Sequence, residues 1–133
     1  MWLRGPCRTI HGVTRPALID LLVLGRQLDP ARREGLLEDL TDLVERHLDS
    51  AGADLIPARA WPFAREVDEG AAFASGRPMA QPHYRLHVSL PAPCHDAGTH
   101  EELAAALARR VLRTERAYPS PEDLPRVDVT FGA

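Results

Sequence analysis

The stretch Pro16-Ala17-Leu18-Ile19-Asp20-Leu21-Leu22-Val23-Leu24-Gly25-Arg26 decides how this chain is read. From Ala17 to Leu24 every residue is apolar except Asp20. A run of that length and composition predicts a strand covered on both faces, as in a parallel sheet. Gly25 ends it. Asp29 then offers an N-cap, and Pro30 suits the first helical position. Leu36, Leu37, Leu40, Leu43, Val44 and Leu48 follow at helical spacing, while Arg33, Glu34, Glu38, Asp42, Glu45 and Arg46 take the other side. The spacing predicts an amphipathic helix over 30–51, closed by Gly52.

Outward from that core, a second strand is expected over 58–66. Pro62 inside it removes a ladder donor, which implies a bulge or an edge position. Asp68-Glu69-Gly70 signals a turn, and 71–75 suits a short return strand ending at Gly76-Arg77-Pro78. In 82–90, Tyr84, Leu86, Val88 and Leu90 alternate with His83, Arg85, His87 and Ser89, the mark of a strand with one apolar and one polar face. Thr99-His100-Glu101-Glu102 reads as a capping box opening a second helix, 99–116. A last strand is expected over 126–131. The order of parts that begins at Pro16 thus returns at Pro82.

Each strand-helix-strand crossover is long enough for parallel pairing. The expected fold is α+β: two β-α-β repeats, a four-stranded mixed sheet with two helices on one face, and a short hairpin. A generic two-layer α+β domain, ferredoxin-like for example, has the same parts. The expected organisation is an irregular leader, 1–15, and one domain, 16–133, with repeat one at 16–78 and a truncated repeat two at 82–133. The chain has 133 residues and is 44% hydrophobic, enough for one packed, aliphatic core. The net charge of −3, with signs interspersed, lacks the basic stripe of a nucleic-acid binder. No apolar run has membrane-spanning length, and 1–15 has no secretory h-region. Cys7 and Cys94 are too few for a disulfide framework. The expected location is the cytoplasm.

One further set of residues carries a resemblance. The proline opening the first strand and the Gly25-Arg26 pair closing it come first. Ala60-Trp61-Pro62-Phe63-Ala64-Arg65-Glu66-Val67-Asp68-Glu69-Gly70 follows, leading into Phe73-Ala74-Ser75-Gly76-Arg77-Pro78. In order and combination these resemble the tautomerase superfamily, typified by 4-oxalocrotonate tautomerase and macrophage migration inhibitory factor (MIF). The two-repeat length resembles its fused members, such as cis-3-chloroacrylic acid dehalogenase and malonate semialdehyde decarboxylase. The resemblance implies a MIF-like fold, a homotrimer, and cofactor-independent proton transfer on a small 2-oxo or enol carboxylate. It implies Pro16 as the catalytic base, Arg26 as the carboxylate ligand, Phe73 as a pocket wall and Arg59 as a further carboxylate ligand, offset from the family position that Trp61 fills.

The residues also mark departures. Pro16 follows Arg15, so its nitrogen as written is a tertiary amide without a proton. Ser89-Leu90-Pro91-Ala92-Pro93-Cys94-His95 holds no arginine where fused dehalogenases carry a pair. Thr130 stands where a dehalogenase tyrosine helps, and no second hairpin follows Gly132, so a dehalogenase is not expected. Two functions stay open: a tautomerase whose Pro16 nitrogen is freed, or a catalytically inactive protein of the same fold serving as a structural or binding subunit.

Other clusters read more plainly. His83, Arg85 and His87 share a polar strand face that suits substrate, a subunit contact or solvent. Cys7, His11, His83, His87, Cys94 and His95 match no standard zinc spacing, so no metal is expected. His47 reads as a half-exposed helix residue, and Arg32-Arg33 and Arg109-Arg110 as solvated helix faces. No membrane or nucleic-acid partner is expected.

Overall fold

The computed structural model describes residues 17–50, 60–90 and 97–132. Its elements run β1 (Ala17–Leu24), α1 (Pro30–Ser50), β2 (Ala60–Val67), β3 (Phe73–Ala74), β4 (Arg77–Pro78), β5 (His83–Ser89), α2 (Ala97–Leu112) and β6 (Val127–Gly132). The main sheet has four strands in the order β2-β1-β5-β6. β1 pairs parallel with β2, and β5 parallel with β6. The two β-α-β units join antiparallel through β1 and β5, with Leu18 opposite Ser89 and Leu24 opposite His83. β3 and β4 form a short antiparallel hairpin. This is the α+β architecture that the hydrophobic patterning implies.

Local chemistry explains the boundaries. Asp29 Oδ1 accepts the Ala31 amide at 2.9 Å, so Asp29 caps α1 and Pro30 fills its first position. Pro62 lies on β2, an edge strand, where its missing N–H leaves no ladder bond unmade toward a further strand. The second helix departs from expectation. It begins at Ala97, so Thr99 lies inside its first turn rather than before it, and the capping-box reading does not hold. Gly52 lies outside the described residues.

The core forms between helices and sheet. Ile19, Leu21 and Val23 from β1 and Tyr84, Leu86 and Val88 from β5 meet Leu36, Leu40 and Val44 from α1 and Leu107 and Val111 from α2. Burial of these side chains supplies the main driving force. β1 is not covered on both faces within one chain. Its odd-numbered residues are buried, but Leu18 is 38% exposed, beside Trp61 at 60% and Phe63 at 43%. The helices cover one face of the sheet, and the opposite face stays open and partly apolar.

Candidate functional site

At the C-terminal end of β1 the chain turns at Gly25, whose φ is +91°. Gly25 packs beside Pro82, where the second unit begins. The next residue, Arg26, enters a cleft of about 430 Å³. Arg32, Gln81, Pro82, Thr114 and Glu115 also line it. Arg26 Nη1 donates to the Tyr84 hydroxyl at 3.1 Å and to Thr114 Oγ1 at 3.2 Å. Its Nε and Nη2 make no hydrogen bond among the described residues.

Behind Arg26 lies a polar network. The Tyr84 hydroxyl donates to Glu115 Oε2. Arg126 holds both Glu115 oxygens, at 2.6 and 2.9 Å, and reaches Asp123 at 3.1 Å and the Pro82 carbonyl at 2.8 Å. Burial, followed by the bond to Glu115, pushes the Tyr84 phenol up to about 12. Burial also disfavours the Glu115 carboxylate. Hydrogen bonds from Arg126 and Tyr84, and the charges of Arg126 and Arg26, outweigh that and hold it below its ordinary value. The bond to Glu115 is the main reason the Arg126 guanidinium titrates higher than usual. Tyr84 therefore stays a phenol and Glu115 a carboxylate near neutrality. The network positions Arg26 rather than moving protons, and it leaves a guanidinium at the cleft able to grip a carboxylate.

Of the candidate residues only Arg26 and Phe73 are described, and they do not share a cleft. Pro16 and Arg59 lie outside the described residues. Arg26 follows the far end of β1, whose eight residues span about 25 Å from Ala17. The strand register places the end of β1 beside the start of β5, and the start of β1 beside the end of β5. Phe73, 57% exposed on the β3–β4 hairpin, does not line the Arg26 cleft. Tyr84, Thr114, Glu115 and Arg126 escaped the sequence reading. Tyr84 counts as one more apolar residue in an alternating strand, and the others sit in connecting chain.

The polar face of β5 belongs to the open side of the sheet. There Arg65 Nη2 reaches both Asp20 carboxylate oxygens at 3.0 and 2.9 Å, Arg85 Nε lies 3.6 Å from Asp128, and His87 Nδ1 lies 2.7 Å from Thr130 Oγ1. Among the described residues no three His, Cys, Asp or Glu side chains converge as a metal site would. Cys7, His11, Cys94 and His95 lie outside them. No described helix is long and apolar enough to cross a membrane.

The sequence matches no protein-family model and no curated protein. Solved structures do match. A wild-type fused 4-OT, solved as a symmetric trimer, is 19% identical with a TM-score of 0.64, over 86% of this chain and 82% of that one. Pt0534 inactivated by 2-oxo-3-pentynoate is 19% identical with a TM-score of 0.65, over the same shares. MIF2 of Leishmania major is 13% identical with a TM-score of 0.61, over 90% of this chain and 89% of that one. The chain has the fold of the tautomerase superfamily.

Proposed function

We infer that this protein is a tautomerase acting on a small 2-oxo or enol carboxylate once its Pro16 nitrogen is free. The observation that carries the reading is the shared fold with Pt0534, a protein inactivated by the 2-oxo acid 2-oxo-3-pentynoate. As an N-terminal secondary amine in an apolar pocket, Pro16 takes a proton from the enol oxygen or the adjacent carbon. It returns a proton to the other, so the reaction is a net isomerisation needing no cofactor. A guanidinium grips the substrate carboxylate at two points. Because Arg26 follows the far end of β1 from Ala17, it serves Pro16 only from a second copy of the chain, whereas Arg59 remains a candidate for the same role. A homotrimer built on the open sheet face supplies such a copy, and the fused 4-OT of the same fold was solved as a symmetric trimer. The exposed Phe73 then walls the pocket from its hairpin. On this reading, 16–133 is one domain and the protein works in the cytoplasm.

A second reading has its own support. Pro16 is amide-linked to Arg15 in the sequence, and Arg26 already bonds Tyr84 and Thr114. That suits a catalytically inactive structural or binding subunit. Intact-mass measurement of the native protein, before and after incubation with 2-oxo-3-pentynoate, separates the two. The enzyme reading expects a chain beginning at Pro16. It gains one inhibitor mass at the proline nitrogen, by addition of N–H across the triple bond, and it ketonises a small enol acid. A chain that keeps Arg15, takes up no inhibitor and has no ketonising activity establishes the inactive subunit.

A further inference from the structure

On the helix layer, away from the open sheet face, α1 and α2 enclose a groove of about 640 Å³. α1 presents Asp39, Leu43 and Arg46 to it, spaced by four and three residues. α2 and its extension present Ala106, Arg109, Arg110 and Arg113, spaced by three, one and three. That periodicity puts one stripe of each helix on the groove. Leu43 and Ala106 are its apolar part. Ala117, Tyr118 and Pro119 form a further wall, and Tyr118 is 91% exposed.

Its charge is unusual for this chain. The whole protein carries −3, yet four arginines and a single carboxylate line the groove. Arg110 and Asp39 satisfy each other, with Nε 2.6 Å from Oδ2. Arg46, Arg109 and Arg113 have no side-chain hydrogen bond or ion pair among the described residues. Cations at the end of α2 complement its helix dipole, which explains Arg109 and Arg110. It does not explain why Arg46, on the other helix, lines the same groove. Three guanidiniums with no acidic partner among the described residues, beside a solvent-facing aromatic ring, make a surface that suits an anion carrying a flat ring.

The geometry points to this groove as a binding site for a nucleoside phosphate, with phosphate oxygens on Arg46, Arg109 and Arg113 and the base on Tyr118. Phosphate suits the arginines better than carboxylate does, because its higher charge and additional oxygens match several guanidinium forks. Tyrosine offers a stacking face that any base can use. The volume lies in the range of small-molecule sites. A long polyanion is disfavoured, since the net negative charge of the chain repels one outside the groove.

Calorimetric titration of the full chain with ADP, inorganic pyrophosphate and adenosine tests this. ADP is expected to bind more weakly as salt rises, adenosine not to bind, and pyrophosphate to bind about tenfold more weakly than ADP for want of stacking. Replacing Arg46, Arg109 and Arg113 together by Gln should weaken ADP about a hundredfold, with the thermal midpoint unchanged. Tyr118→Ala, at a site too exposed to affect folding, should bring ADP down to the pyrophosphate level and leave pyrophosphate as it was. The proposal is overturned if ADP does not bind or if the triple variant binds it normally. Equal binding of ADP and pyrophosphate, which makes this a plain anion patch, overturns it too. So does a short single-stranded DNA that displaces ADP at lower concentration.

Discussion

Arg126 Nη2 lies 2.6 Å from Glu115 Oε1, and this pair joins the connection after α2 to the residue that precedes β6. Arg126 is buried and Glu115 largely so, which means that removing one partner leaves the other charge poorly solvated. Arg126→Met is expected to cost about 2–4 kcal/mol, toward the lower part of the range for buried pairs because Glu115 keeps some solvent. Glu115→Gln keeps an acceptor for Arg126 and Tyr84 and should cost about 1–2 kcal/mol. Urea unfolding measures both. An Arg126→Met protein as stable as the parent would show that the pair contributes nothing.

The same carboxylate sets an acid dependence. Burial acts to raise the Glu115 value, but Arg126, Tyr84 and Arg26 together lower it in the folded state. A folded value below the unfolded one means that the charged form favours folding. That contribution is complete above the ordinary carboxylate value of about 4.3 and is lost as pH falls through the lowered one. The difference in thermal midpoint between parent and Glu115→Gln should therefore be widest near neutrality and shrink below about pH 4.3. A difference that stays constant into strong acid would contradict this assignment.

Tyr84 gives the alkaline counterpart. Its phenol, raised to about 12 chiefly by burial, keeps its proton beyond the ordinary tyrosine range. The folded value is the higher one, so this contribution to stability is complete below about pH 10 and is lost as pH rises toward the folded value. A spectrophotometric titration should show one tyrosine ionising at about 12, absent from Tyr84→Phe. That variant also leaves Arg26 Nη1 and Glu115 each short of a partner, at a cost of about 1–2 kcal/mol.

How much of this was legible in the sequence differs between fold and site. α1 and β5 are strongly periodic, so their apolar positions fixed both element type and buried face, whereas the nearly continuous apolar run of β1 fixed only its element type. Asp29-Pro30 located the start of α1 to the residue. The site was harder, because Tyr84 lies on β5 while its partners come from connections, and their meeting depends on strand order. Arg26 and Tyr84 are 58 positions apart and Tyr84 and Glu115 are 31 apart, and neither pair has a local signature. The open outer face of β1 was hidden for a related reason. An apolar residue on the open face, such as Leu18, reads in the sequence just like one packed under the helices.

Two glycines should respond to alanine with opposite signs. Gly25 holds φ at +91°, where a side chain strains the backbone, while an added Cβ there would stand 3.6 Å from Pro82 Cα, an ordinary contact. Strain alone should make Gly25→Ala cost about 1–2 kcal/mol. Gly35 lies within α1 with nothing within 4 Å of its Cβ position. Gly35→Ala should stabilise by about 0.5–1 kcal/mol, since alanine loses less chain entropy in a helix. Thermal unfolding of both variants checks the signs. A stabilised Gly25→Ala would mean that the turn adopts another conformation in solution.

The open sheet face should govern assembly. Leu18, Trp61 and Phe63 lie on it as partly exposed apolar neighbours, the kind of surface that can serve as a contact. The Arg65–Asp20 and Arg85–Asp128 pairs on the same face each balance one positive against one negative charge, so a second copy meets no net like charge there. Sedimentation velocity of the parent at micromolar concentration should give a trimer, with a thermal midpoint that rises with protein concentration. Replacing both Trp61 and Phe63 by Glu sets like charges against each other across the contact, and should yield a folded monomer whose midpoint no longer depends on concentration. Arg109→Gln, on the helix side, should leave the trimer intact. A parent that sediments as a monomer throughout, or a double variant that stays trimeric, would remove the sheet face from the contact. It would also remove the second copy on which the proposed pairing of Pro16 with Arg26 depends.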